Sequence, residues 1–287
     1  METLTPVERE KQDTTKKVNP KGKSLWKRIE PFVTPNLSPP TTYLVPMYVA
    51  QFVIVIGLWS LSTAFYFPTP AEIIAAIPVL QRDFNLFGEL MTSFGLAVKS
   101  AFTAAALGLV ISYMVRIQAV RFLPTAISKF RFLSLMALTF IFLRLAPDAD
   151  TAKWYILTFG MMVFYVTGMV SVIQNDIHAE DYNLPRTLRM NEWRVMYEVV
   201  ILGKLNVAWD LIRQNFAIIW TMLTAVESLS QAGGGVGIMI FKQQKFLNFP
   251  SLFAIQLCFM TVGIVMDYFF VLMRGWLMPY TKLKTGK

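Results

Sequence analysis

The sequence is short of the residues that soluble chemistry depends on. There is one cysteine and one histidine in 287 residues. With only Cys258, no disulfide can form within the chain, and Cys258 with His178 cannot make a Cys/His metal cluster. The glycine-rich stretch 233–237 carries no Gly-Lys-Ser/Thr, and no complete Walker-type phosphate loop is present, so the chain carries no nucleotide cradle of that kind. No apolar stretch shows paired carboxylates or histidines suited to acid/base work. Charge is scarce too: 16% of residues are charged and 55% are hydrophobic. A soluble domain usually has about 25% charged residues. A deficit this large implies lipid as the solvent. The formal charge of +9 would suggest nucleic acid on a soluble protein, but here the basic residues sit at the ends of apolar runs. A membrane reading therefore accounts for them, with no nucleic acid as partner.

The apolar runs then set the fold class, which is all-α. A span takes about 20 apolar residues. Helices satisfy their own backbone groups in lipid, and the runs lack the alternation of a membrane β-barrel. Six spans are expected. The first is Tyr43 to Phe67, ended by Pro68-Thr69-Pro70, with Ala71 to Phe84 an amphipathic helix outside the membrane. The second is Gly95 to Val115, with Lys99 near one end. Phe132 to Leu145 is a short third span, Trp154 to Ile173 the fourth, Val207 to Leu229 the fifth and Leu252 to Leu272 the sixth. Residues 1–42 form a polar tail that is not a cleavable signal peptide. Leu25 to Phe32 within it is either a headgroup-level helix or simply part of the tail. Residues 43–275 make the membrane domain, with a long polar segment at 175–204, and 276–287 is a basic tail.

Lys and Arg set the orientation. Arg82, Arg144, Lys153, Lys242 and Lys245 fall on one side and Lys99 within a span; all the other basic residues fall on the opposite side. Both termini and the 175–204 segment are therefore expected in the cytoplasm.

Several landmarks recur in order. They are Phe67-Pro68-Thr69-Pro70-Ala71-Glu72-Ile73-Ile74, then Pro124 with Arg131-Phe132-Leu133 and Ala137. Asp181 to Arg194 follows, centred on Arg186-Thr187-Leu188. Trp220, Glu227, Gly233 to Gly237, and Gly263 with Asp267 complete the set. Together they resemble the permease subunits of ABC importers of the nitrate/sulfonate/taurine type, over roughly residues 50–275. The resemblance implies a type I importer fold in the bacterial inner membrane. It implies half of a pathway for a small solute, with anions among the candidates. The implied partners are a second permease, identical or different, two ATPase subunits that hold ATP and Mg, and a substrate-binding protein outside. This chain would be no enzyme and hold no cofactor or metal. The alternative is a permease-like scaffold that no longer transports.

Residue roles follow from the same resemblance. Asn183, Leu184, Pro185, Arg186, Arg189, Glu192 and Trp193 correspond to the segment that docks on the ATPase, commonly written E-A-A-R-T-L-G. Here its glutamate is Asn183, its alanines are Leu184 and Pro185, and its glycine is Arg189. Trp220, Glu227, Asp267 and Lys99 are candidates for the pathway. Glu227 lines a gate or caps its span, Asp267 needs a partner that the sequence does not name, and Lys99 attracts an anion or snorkels to the interface. Gly233, Gly234, Gly235 and Gly237 are too glycine-dense for a helix and form either a contact for the binding protein or a plain turn. His178 is expected to be a solvated loop residue.

Overall fold

The computed structural model describes Thr34, residues 41–61 and residues 66–278. Most of the 1–42 tail, including Leu25 to Phe32, and residues 279–287 lie outside the described residues. Among the described residues every regular element is a helix, as expected for an all-α membrane bundle. The chain divides into two units, residues 1–61 and 62–287. The first contributes helix α1 (Thr41–Ser60), which stops short of the expected Phe67. Residues 62–65 lie outside the described set.

The second unit opens on a well-built helix start. Thr69 Oγ1 accepts from Glu72 N at 3.4 Å while Thr69 N donates to Glu72 Oε2 at 2.9 Å. With Pro70 in the first turn this is a capping box that fixes α2 (Pro70–Phe84). Asn85 then turns left-handed at φ 51°, and α3 (Leu86–Tyr113) begins immediately. The second span thus starts nine residues before Gly95, and Lys99 stands mid-helix rather than near an end. The reason is local: Gln81 Oε1 accepts from Phe87 N at 2.9 Å, so the junction leaves no room for a loop.

Two 3-10 turns (114–116 and 118–120) and α4 (Phe122–Lys129) lead to α5 (Leu135–Leu145). An eleven-residue helix rises only about 16 Å, short of the roughly 30 Å hydrocarbon layer. The expected third span is therefore no straight helix; together with the 118–132 stretch it forms a pair bent by 117°. Asp148 caps α6 (Ala149–Asn175) by accepting from Thr151 N at 2.9 Å. Helices α7 (Asn183–Thr187) and α8 (Glu192–Val195) and a π-helix (Met196–Leu202) follow. The unit closes with α9 (Leu205–Ser230), α10 (Val236–Lys245) and α11 (Phe249–Leu277).

Helix α6 is the hub, packing on α3, α9, α5 and α4. Its closest neighbour, α3, presents a stripe of small buried residues: Ser93, Ala97, Ala101, Ala104 and Gly108. Small residues let backbones approach, the usual solution where lipid supplies no hydrophobic drive. A side chain at Gly108 would collide with the Tyr165 ring, whose hydroxyl donates to Ala208 O at 3.3 Å and so ties α6 to α9. The outward faces carry exposed Phe102, Leu107, Val110, Ile264, Val265 and Leu272, as expected where lipid is the solvent.

Among the described residues four helices, α1, α3, α6 and α11, are long and apolar enough to cross a membrane, and the bent pair would make a fifth only if both of its halves were counted as one span. The count falls short of six because of the expected fifth span. It forms the 26-residue helix α9, but that helix includes Asp210, Arg213, Asn215 and Glu227.

Candidate functional site

The candidate residues gather in three places. The first is the polar segment. Helix α7 ends in a turn in which Arg189 adopts φ 53°. This is the left-handed region that an L side chain occupies at a cost of about 1–2 kcal/mol and glycine occupies freely. Across that turn Arg186 grips Glu192 with two parallel hydrogen bonds, Nε to Oε1 at 2.9 Å and Nη2 to Oε2 at 3.1 Å. The bidentate contact holds the Glu192 carboxyl below the usual carboxylate range. The guanidinium of Arg186 also lies over the Tyr182 ring, 5.7 Å from its centroid, and that of Arg116 lies 5.6 Å away. Arg116, just after α3, donates to Ile173 O, and Lys204 Nζ donates to Asp176 O at 2.8 Å, so the far end of the segment is tied back to the end of α6. A groove of about 350 Å³ opens between Arg116, Tyr182, Arg186, Glu192 and Trp193. Trp193 is 66% exposed, and Leu184, Leu188 and Tyr197 are exposed beside it. Asn183 and Pro185 belong to α7. His178 is exposed.

The second place is a groove of about 380 Å³ between α9 and α11. Here Asp267 finds the partner that the sequence did not name. Arg213 donates from Nε to Oδ1 at 2.6 Å and from Nη2 to Oδ2 at 3.1 Å. Arg274 pairs with Asp210 at 2.9 Å in the opposite sense, so the two helices exchange charges. Trp220 stacks on Phe259 at 4.2 Å between centroids and 8° between planes, and its Nε1 donates to Phe259 O at 3.2 Å. Gly263 lies against the same indole, where a Cβ would come within 2.9 Å of Nε1. Trp220 and Asp267 thus share one groove.

Glu227 and the glycines occupy the third place. Glu227 is 1% exposed. One carboxyl oxygen accepts from Ser93 Oγ at 2.7 Å and the other from Gly237 N at 2.8 Å. Ser93 Oγ in turn accepts from Val236 N at 2.9 Å, and Glu89 accepts from Gly235 N. Two carboxyl groups and a serine from α3 and α9 therefore hold the successive backbone N–H groups of Gly235, Val236 and Gly237, from the end of the glycine turn into the start of α10. Gly233, Gly234 and Gly235 all have positive φ, which lets those groups point inward. Gly237 is not part of the turn: it lies in the first turn of α10, contrary to the expectation that the whole stretch is too glycine-dense for a helix. Lys153, also 1% exposed, closes the other flank. Its Nζ donates to Asp150 Oδ1 at 3.1 Å and to Gly234 O at 3.0 Å.

Lys99 stands apart from these sites, with its ammonium 4.2 Å from the centre of the Trp154 ring. Sequence reasoning missed Glu89, Ser93 and Lys153, because nothing local marks them. Their partners across the fold lie 81 to 146 positions away. The one available signal was a lysine five residues after the aspartate that caps a long apolar helix. The chain matches no described protein family and no curated protein sequence.

Proposed function

We propose that the chain is the permease subunit of an ATP-driven importer, forming half of the path for a small solute and taking its energy from separate ATPase subunits. The observation that carries this reading is Arg189. The coupling motif of the resembling permeases has glycine there, and Arg189 adopts the left-handed conformation that glycine serves. The same turn joins two short helices, α7 and α8, stapled by Arg186 and Glu192. It leaves Leu184, Leu188 and Trp193 exposed for a partner. A motor whose nucleotide cycle moves the spans needs such a stiff, projecting element. Four or five apolar spans among the described residues are also too few to enclose a pathway, which favours a second permease across from them. The orientation with both termini inside follows from the Lys and Arg bias.

The test is purification of the chain from its native membrane in mild detergent, followed by reconstitution. An ATP-hydrolysing subunit should co-purify, and vesicles should take up solute only with ATP. Trp193→Ala combined with Arg189→Ala should leave ATP hydrolysis running while uptake is lost. A complex with a membrane assembly but no ATPase would sink the proposal in favour of the scaffold reading.

A further inference from the structure

Beyond Arg116 and Ile117, the stretch between α3 and α5 stands outside all three sites, and its composition is one-sided. No acidic residue occurs between Glu89 and Asp148, while Arg116, Arg121, Lys129 and Arg131 fall within 16 positions. Arg116 is occupied by Ile173 O and the Tyr182 ring. Arg121 and Lys129 are exposed and have no acidic partner among the described residues. Arg131 lies only over the neighbouring Phe132 ring, 4.8 Å from its centroid.

Helix α4 is two-faced. Pro124 is buried, and the carbonyl of Ser128 accepts from Thr167 Oγ1 at 3.4 Å, so that side rests on α6. Phe122 stands three and four residues before Thr125 and Ala126, Lys129 four and three residues after them, and all four are exposed. Phe122 is 71% and Phe132 76% exposed. Large aromatic side chains turned outward beside unpaired cations are costly in water. They are at home at a membrane boundary, where rings enter the acyl edge and cations meet lipid phosphates.

We propose that residues 121–132 form an interfacial anchor that binds the headgroups of anionic phospholipids. Charge complementarity selects this occupant: the surface has cations and aromatic rings and nothing negative. A lipid leaflet offers the phosphate and the apolar layer at the same depth. Each cation near an anionic surface contributes at most about a five-fold gain in association, and less with salt.

The full chain is reconstituted into phosphatidylcholine vesicles containing a trace of spin-labelled phosphatidylglycerol or spin-labelled phosphatidylcholine. The protein-bound fraction of each is read by electron spin resonance. The parent should prefer phosphatidylglycerol about ten-fold at low salt. The variant Arg121→Gln/Lys129→Gln/Arg131→Gln should fall to about two-fold, and Lys242→Gln/Lys245→Gln, at exposed positions of α10, should keep the parent preference. Added glycerol phosphate should not displace the bound lipid, because it lacks the acyl chains. If the triple variant does not fold, Lys129→Gln alone should lower the preference about two-fold. Equal association of both lipids, displacement by glycerol phosphate, or an equal loss in the Lys242/Lys245 variant overturns the proposal. So does shielding of these cations by a co-purified acidic subunit without any lipid preference.

Discussion

Replacing Glu227 with alanine should destabilise the bundle by about 3–5 kcal/mol. The substitution removes the acceptor of two buried donors, Ser93 Oγ and Gly237 N. Each buried donor left unpaired costs about 1–3 kcal/mol, and the deleted side chain leaves a void beside the glycine turn. Ser93 recovers a little, since a helical serine can turn its proton to the carbonyl one turn earlier. Glu227→Gln separates the effects. Its amide oxygen still accepts from Gly237 N, and its amide nitrogen can donate to Ser93 Oγ once the serine proton has turned away. That variant should cost about 1–2 kcal/mol. Both substitutions remove the carboxyl group, so the difference between them, about 2–3 kcal/mol, reports the hydrogen bonds and packing alone. Reversible unfolding in mixed micelles, titrated with SDS and followed by circular dichroism, measures it. An alanine variant within 1 kcal/mol of the parent, or equal to the glutamine variant, would refute the account of Glu227 as the fastener of the turn.

Arg189→Gly should relieve the left-handed strain, offset by glycine's larger loss of chain entropy, for a net gain of about 0.5 kcal/mol. Slower amide exchange across 183–195 would register it, and faster exchange would contradict it. Because the Arg186 contact depresses the Glu192 pKa, its contribution is complete above the unfolded value near 4.3 and is lost as pH falls through the lower folded value. Proteolysis of the 183–195 turn should therefore accelerate below about pH 4 in the parent and show no such acid step in Arg186→Gln. Asp267→Ala should weaken the bundle by only about 0.5–1 kcal/mol, since the pair with Arg213 is half exposed. The exchange Arg213→Asp/Asp267→Arg should restore most of that in the same unfolding assay, and a reversed pair no better than either single change would argue against the direct contact.

What was legible in the sequence was whatever is encoded within a turn or two. Thr69 followed by Pro70 and Glu72 announces the start of α2, and the apolar runs announce α1, α3, α6 and α11. Boundaries failed where a single residue does unusual work: Asn85, turning left-handed, joins α2 to α3 without a loop and so moves Lys99 to mid-helix. The turn at Arg189 was hidden because arginine gives no local warning of a positive φ. The candidate residues were found individually, yet their grouping was not. Asp267 meets Arg213 across 54 positions and Glu227 meets Ser93 across 134. Only packing brings such pairs together, and a single sequence has no period that encodes them.

The glycine turn has a mechanical consequence. Glu89 and Ser93 on α3, Lys153 on α6 and Glu227 on α9 all grip the same few backbone groups ahead of α10. These four helices are riveted at one end, while Tyr165 and Ala208 pin α6 to α9 farther along. Hydrogen bonds thus tie them into one block, and the Arg189 turn joins that block through the π-helical stretch ahead of α9. The compliance of the molecule is left to the 117° bend before α5 and to the π-helical stretch that leads into α9.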